Sequence, residues 1–317
     1  MLRLGWLVKS VQKTVWRATN RAQRLARDVI LGMLLSGKIV LSEIARALNP
    51  EKRAFQTILH RLSQNLADDR VALEVEVIAR DYLADAGRVT WGEYEFVVLD
   101  LMDITKKYGK KMPYLCPVRD ASESRRGGPK IARGWWACEI VATTRDHRVV
   151  PLYRSIWSTL LPGFRSETDQ IRNAILSTKP FVSPHALWVF DRAGDAGARI
   201  ALFNELLPRW VIRMRGDRNI WRPGAEHDGP RTMLHVAQAM AKPYKAWCWV
   251  SRKNQLVRVR RRFGWLTVQL ESGGKWYTLI AVERDENEED SEPGRPLMLL
   301  TNIVPFTGHD GERVVAA

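Results

Sequence analysis

Two aspartates each follow a short apolar run, a position from which carboxylates can bind metal ions. Asp100 ends Glu95-Phe-Val-Val-Leu-Asp100, and Asp191 ends Ala186-Leu-Trp-Val-Phe-Asp191. Ionised groups rarely end buried strands without a partner, and ligands collect at the carboxyl ends of strands in open α/β sheets. Either acid alone is better explained as a turn or helix cap. The pair, however, could converge on a hard cation such as Mg²⁺, which prefers oxygen ligands.

The elements that would position these acids alternate between strand and helix over residues 91–217. Trp135-Trp-Ala-Cys-Glu-Ile-Val141 and Arg148-Val-Val-Pro-Leu-Tyr153 predict a hairpin. A helix is expected to begin after a Ser166 cap, and a helix over 196–207 and a strand over 210–214 follow. Three strands with hairpin character, followed by strand–helix alternation, predict an α/β fold with an RNase H-like mixed sheet.

Three further regions flank or extend this core. Residues 1–90 are basic and are predicted to be helical, and the apolar stripes at 41–48 and 55–62 fit either a helix-turn-helix or a small helical bundle. Residues 218–295 predict an inserted antiparallel β domain, with a meander over 245–282. Residues 296–317 contain a last core strand and the start of a helix.

The charge balance favours a polyanionic partner. Fifty Lys and Arg residues face 35 Asp and Glu residues, a net charge of +15, and such an excess suits nucleic acid because neutralised phosphates release counterions. A basic but unspecialised protein is the alternative. The three cysteines and six histidines lack zinc spacing. No apolar run is long enough to span a bilayer and no signal peptide is evident, so we expect a cytoplasmic protein.

Four motifs, in this order, resemble the DDE transposases of bacterial insertion sequences, in the group whose RNase H-like core carries a β-rich insertion. They are Val98-Leu-Asp-Leu-Met-Asp-Ile-Thr105, Trp188-Val-Phe-Asp-Arg-Ala-Gly-Asp195, Trp210-Val-Ile-Arg-Met-Arg-Gly-Asp217 and Leu299-Leu-Thr-Asn302. The resemblance covers roughly residues 40–317. It implies that Asp100 and Asp191 are the first two catalytic acids and bind Mg²⁺, with Mn²⁺ as a substitute.

Two neighbouring acids leave alternatives to this assignment. Asp103 could replace Asp100 as the first acid, although Asp100 directly ends the apolar run. Asp195 is expected to cap the helix that starts at Ala196. The resemblance further implies two-metal cleavage and joining of DNA, with double-stranded transposon ends and target DNA as partners, and a homodimer on DNA.

The chain departs from the family pattern at its third acid. Relatives carry a Glu in a Tyr-x-x-Arg-x-x-Ile-Glu-like motif on the helix after the Thr-Asn strand, whereas this sequence ends at Glu312-Arg-Val-Val-Ala-Ala317. If the family Glu falls ~10 residues further on, Glu312 lies ~15 Å from its place along the helix. We therefore expect a C-terminally truncated transposase that is impaired. The alternative is a non-catalytic DNA-binding remnant or repressor of the element.

Alternating arginines suggest DNA contacts on two strands. Arg213 and Arg215 should share one strand face, as should Arg258, Arg260 and Arg262. A basic face can bind phosphates, although any half-solvated strand has the same pattern. Four tryptophans could stack on unpaired bases, but core positions are more common for this residue. They are Trp221, Trp247, Trp249 and Trp265.

Overall fold

The computed structural model describes residues 19–49, 52–90, 94–106, 109, 112–120, 130–144, 149–224, 229–252, 255–284, 296–304 and 307–316. The chain divides into two compact units, Met1–Val89 and Thr90–Ala317. No helix in these described segments is long and apolar enough to cross a membrane.

The described part of the N-terminal unit is helical. Its helices are α1 (Asn20–Ser36), α2 (Leu41–Leu48), α3 (Lys52–Leu66) and α4 (Asp69–Thr90). Helix α1 begins at Thr19, whose side chain accepts a hydrogen bond from the Ala22 N–H, and ends at Gly37 in the left-handed conformation. The apolar stripes predicted at 41–48 and 55–62 lie on α2 and α3, where Ile44 and Leu62 are fully buried.

The C-terminal unit is built on one ten-stranded mixed sheet, which confirms the α/β class. The strands in the sheet run in the order β2-β3-β1-β5-β6-β12-β11-β10-β9, and β4 also pairs with β3. They are β1 (Tyr94–Thr105), β2 (Cys116–Asp120), β3 (Lys130–Thr144), β4 (Val149–Trp157), β5 (Leu187–Phe190), β6 (Trp210–Arg213), β9 (Tyr244–Arg252), β10 (Gln255–Gln269), β11 (Trp276–Arg284) and β12 (Leu297–Thr301). Strands β7 (Asn219–Ile220) and β8 (Arg231–Thr232) form a separate two-stranded sheet.

Helices connect the strands and cover both faces of the sheet. Helix α5 (Glu167–Thr178) joins β4 to β5, α6 (Gly197–Leu206) joins β5 to β6, α7 (Met233–Ala239) precedes β9, and α8 (Gly308–Ala316) follows β12. The predicted Ser166 cap is present, because its hydroxyl accepts the Asp169 N–H at 3.0 Å. Helix α6 packs its Phe203 against Phe190, with ring centroids 3.9 Å apart.

Helix α8 packs on the opposite face of the sheet. Its Val314 and Val315 belong to an apolar cluster with Phe263 and Ile280. Gly311 lies directly against the Phe263 ring, where a Cβ atom would overlap ring carbons. The face of β9 and β10 that contacts α8 is therefore closely packed.

The predicted antiparallel meander is present as β9, β10 and β11. These strands are hydrogen-bonded through β11 to β12, so they continue the main sheet. Thr301 and Asn302, the Thr-Asn motif, link β12 to the start of β6 through two hydrogen bonds. The buried Thr301 hydroxyl donates to the Trp210 carbonyl at 2.6 Å, and the Asn302 side chain accepts the Trp210 N–H at 3.0 Å.

Candidate active site

Asp100 lies inside strand β1, which corrects its expected position at a strand end. The strand continues to Thr105 because antiparallel pairing with β3 extends along it, with Asp100 opposite Glu139. Pairing with the parallel neighbour β5, in contrast, stops at Leu99 opposite Phe190. Asp100 therefore marks the end of the parallel pairing and is exposed to solvent there.

Asp191 directly follows strand β5, as predicted. It is exposed and begins the 3₁₀ turn Arg192–Gly194, where its Oδ1 accepts the Ala193 N–H at 2.7 Å. Arg199 on α6 steadies this turn by donating to the Ala193 carbonyl while it also pairs with Glu167. The turn that carries Asp191 is thus held by Arg199 of α6, which is itself paired with Glu167 of α5.

The sheet brings the two acids together. Strands β1 and β5 are parallel neighbours, and Asp100 and Asp191 each come one residue after the Leu99–Phe190 pair. By strand alternation both face the same side of the sheet. Although Asp100 reaches solvent, its neighbours desolvate it in part, and this effect and the nearby Asp191 carboxylate raise its pKa. Glu139 has a smaller raising effect on this pKa, and the hydrogen bond from the Leu101 N–H lowers it. The two negative charges are therefore close enough to repel each other.

Glu139 is a neighbour that the sequence analysis missed. It sits on β3 directly across from Asp100, and Arg154 on β4 is directly across from Glu139. Glu139 is the only acid in the apolar run of β3, a signal that could have drawn attention to it. Burial, with Asp100 and Glu139 nearby, raises the pKa of the Cys138 thiol to about 12, so this thiol stays protonated.

Asp103 and Asp195 have different positions from the first two acids. Asp103 is three residues after Asp100 on the same strand, so alternation turns it to the opposite face of the sheet. Asp195 does not cap the helix that follows, which corrects that expectation. Its nearly buried carboxylate binds the Arg218 guanidinium at 2.6 and 2.9 Å and accepts the Arg215 N–H at 2.8 Å. The Asp195 carboxylate is engaged by a charged partner distant in sequence, and the N-cap position of helix α6 is Ala196, which provides no side-chain cap.

The predicted DNA-contacting arginines fall into two groups. Arg213 is exposed at the end of β6. Because Ile212 pairs with Phe190, the residues that follow them, Arg213 and Asp191, come at the same level on neighbouring strands. Arg215 is also exposed, but β6 ends at Arg213, so the two do not share a strand as expected. Arg258, Arg260 and Arg262 alternate along β10, far from the acid pair in the strand order.

The donor set at the acid pair suits a hard cation. Mg²⁺ commonly takes only one or two carboxylates from a protein and keeps several waters, and Asp100 and Asp191 supply two exposed carboxylates on one face of the sheet. Within the described segments, no three His, Cys, Asp or Glu side chains cluster as a ready metal site.

No family model and no curated protein sequence matches the chain. Among solved structures, it is similar to a piggyBac transposase synaptic complex with hairpin DNA. The identity is 12%, the TM-score is 0.43, and the match covers 92% of this chain and 54% of the transposase chain. The chain thus spans about half the length of that protein. At this TM-score and identity, the likeness establishes neither a family nor a function.

The arrangement supports chemistry on an anionic oxygen substrate. Two like-charged acids on one sheet face attract cations, and Arg213, at the same level on the neighbouring strand β6, adds a positive charge beside them. A phosphate group bridging a bound cation and this guanidinium would have its charge neutralised from two sides.

Proposed function

We propose that the chain is a DDE transposase-like protein that cuts or joins DNA by metal-assisted phosphoryl transfer. The observation that carries this proposal is the pair of Asp100 and Asp191. They lie on adjacent parallel strands, on one face of the sheet, close enough for the charge of Asp191 to raise the pKa of Asp100. Perturbed carboxyl pairs of this kind are common at catalytic sites.

The strand order supports an RNase H-like core over residues 91–217. Antiparallel β4, β3 and β1 are followed by parallel β5 and β6, with helices α5 and α6 as the connections. In this proposal residues 218–295 are the β-rich insertion, residues 296–317 complete the core, and residues 1–90 bind DNA. Its proposed relatives are the transposases of bacterial insertion sequences.

In this proposal Asp100 and Asp191 hold Mg²⁺, or Mn²⁺ in its place. The bound metal would polarise the scissile phosphate and lower the pKa of a bound water. Asp100 must be ionised to bind it, so its raised pKa makes protons compete with the metal. Arg213 would orient the phosphate from the neighbouring strand, and Glu139 would add negative potential on the far side of Asp100.

A cleavage assay tests the acid pair directly. Purified full-length chain is incubated with supercoiled plasmid and with DNA carrying candidate element ends, in Mg²⁺ or Mn²⁺. We expect Asp100→Asn and Asp191→Asn each to lower the rate by at least ~10²-fold, the usual cost of losing one electrostatic element of an active site. Asp103→Asn is the matched control, because the same substitution on the same strand changes the opposite face. Equal losses for Asp103→Asn and Asp100→Asn would refute the assignment.

A non-catalytic DNA-binding protein, a remnant or repressor of the element, is the second candidate. The N-terminal unit favours it, because its helices α2 (Leu41–Leu48) and α3 (Lys52–Leu66) follow each other closely along the chain, as two helices do in helix-turn-helix proteins. Both candidates bind double-stranded DNA, and a homodimer on DNA is proposed for both. They differ in one result. DNA binding that survives in every variant, without metal-dependent cleavage by the unaltered chain, would support the second candidate.

A further inference from the structure

Strands β9 and β10 carry an outward face that combines tryptophans with cations, which we name the aromatic ribbon. It consists of Trp247 and Trp249 on β9 and of Arg258 and Arg260 on β10, flanked by Lys245 and Arg262. In the antiparallel register Arg258 is opposite Trp249, Arg260 is opposite Trp247, and Arg262 is opposite Lys245. All six side chains therefore belong to one face of the two-stranded pair.

The other face of the same strands accounts for this orientation. Ala246, Val259 and Phe263 are 7%, 6% and 0% exposed, and they alternate with the ribbon residues. Phe263 packs on helix α8 in the apolar cluster that also contains Ala246. Since the core face is occupied by these residues, the tryptophans must face outward, where Trp247 is 52% and Trp249 is 57% exposed. Trp247 and Trp249 are thus exposed, whereas core positions were expected for them.

Two exposed indoles beside arginines form a surface that suits a particular chemistry. The Arg258 guanidinium lies over the Trp247 ring, 5.1 Å from its centroid, which restrains the ring while more than half of the side chain remains exposed. Adjacent exposed aromatic groups of this size usually mark a binding site. The cations beside them attract a polyanion, so a purely apolar partner fits this face poorly.

We propose that the aromatic ribbon binds single-stranded DNA, with unpaired bases stacked on Trp247 and Trp249 and phosphates along the β10 arginines. The spacing of the two indoles supports an unpaired strand. Residues two apart on a strand are separated by roughly 6.8 Å, about twice the 3.4 Å between successive bases along one strand of a duplex. An extended single strand can match this spacing and expose its bases, whereas duplex bases are already stacked on each other.

The ribbon is distinct from the acid pair in position. Strand β9 is five strand steps from β5 in the sheet order, roughly 24 Å at the usual spacing between strands. The ribbon also lies on the face of the sheet opposite to Asp100 and Asp191, by the continuous register from β5 to β9. Single-strand binding at the ribbon therefore goes beyond the proposed cleavage activity and does not require it.

The test compares binding of labelled 15-nucleotide oligodeoxythymidine and of a 15-base-pair duplex to the full chain, by fluorescence anisotropy at fixed salt. The double variant Trp247→Ala/Trp249→Ala should lose about 5- to 150-fold in single-strand affinity for each stacked base and change duplex affinity less than twofold. Trp247→Phe/Trp249→Phe should keep most of the single-strand affinity. Trp276→Ala is the matched control, because Trp276 on β11 is 40% exposed and lies outside the ribbon.

Several results would overturn the proposal. These are unchanged single-strand binding by the double Ala variant, an equal loss for Trp276→Ala, or an equal loss of duplex binding. Tighter binding of oligouridine than of oligodeoxythymidine would overturn the assignment to DNA. Unchanged DNA binding with lost self-association in gel filtration would identify a protein contact instead. Melting curves and the Phe variant separate misfolding from lost stacking. The Asp100→Asn variant should bind the oligonucleotide as the unaltered chain does. Failure of the cleavage proposal would therefore leave single-strand binding unchanged and can be told apart from failure of this one.

Discussion

The Asp195–Arg218 ion pair holds the segment after β6 against the turn that carries Asp191, and its removal should be costly. Substituting Asp195→Asn deletes a charge whose side chain is 2% exposed, while its Arg218 partner is 27% exposed. An asparagine can still accept the Arg215 N–H, but it cannot neutralise the guanidinium, which donates through both Nε and Nη2.

The expected magnitude follows from the burial of the two partners. Breaking a fully buried pair from one side costs ~3–5 kcal/mol because a charge is left without compensation. Arg218 retains some access to water, so we expect a loss of about 2–3 kcal/mol. For a unit of this size, each kcal/mol lowers Tm by ~2–4 °C, so the Tm should fall by about 4–12 °C.

The exposed pair of Arg172 and Glu205 offers a matched control. It also has two hydrogen bonds, at 2.8 and 3.0 Å, which run from the two Nη atoms to the two Oε atoms, but its side chains are 38% and 55% exposed. Solvent and salt screen such pairs strongly, so Glu205→Gln should leave Tm unchanged. Thermal melts of both variants, followed by circular dichroism, give the comparison. If Asp195→Asn has the same Tm as the unaltered chain, or if both variants lower Tm equally, the ion pair does not hold the segment after β6 against this turn.

Three other outcomes are expected. Because folding raises the pKa of Asp100, ionisation of this carboxyl opposes folding. The protonated carboxyl contributes fully to stability below its unfolded-state pKa, and this contribution is lost as pH rises through the folded-state pKa. Asp100→Asn should therefore stabilise the chain at pH 7 but not near pH 3, in urea titrations at both pH values. Gly264→Ala should destabilise by about 1–3 kcal/mol because its Cβ would overlap the Ala241 carbonyl oxygen, whereas Gly197→Ala, which has open space, should be neutral in the same titration. Duplex DNA affinity should fall steeply between two salt concentrations in a binding assay, because a chain of net charge +15 displaces counterions from phosphates. A salt-insensitive affinity would point to another partner.

The apolar runs alone predicted much of the sheet. The run before Asp191 predicted a strand that ends at this acid, and the structure has β5 ending at Phe190. The run before Asp100 predicted its strand but not its length. The end of β1 depends on antiparallel pairing with β3, and register between distant strands is not visible in local sequence.

The same limit explains the residues that were missed. Glu139 comes next to Asp100 only through the β1–β3 register, so its spacing along the chain gave no signal. Asp195 stands before a helix, where local rules favour a cap, yet its partner Arg218 is 23 residues away. The outward position of Trp247 and Trp249 depends on which face of β9 meets α8. Composition cannot reveal that choice because tryptophan fits both environments.

The pairing of β6 with β12 also determines the order in which the chain can fold. Thr301 and its partner Trp210 are 91 residues apart. At ordinary rates of synthesis, β12 is therefore made roughly 5–20 s after β6. During that interval the apolar residues Val211 and Ile212 lie on an open strand edge, the kind of surface that recruits other chains. Sheets closed by such distant segments form slowly. Newly made protein should therefore depend on chaperones until β12 emerges, and its yield in cells should fall with growth temperature sooner than the stability of the finished sheet would suggest.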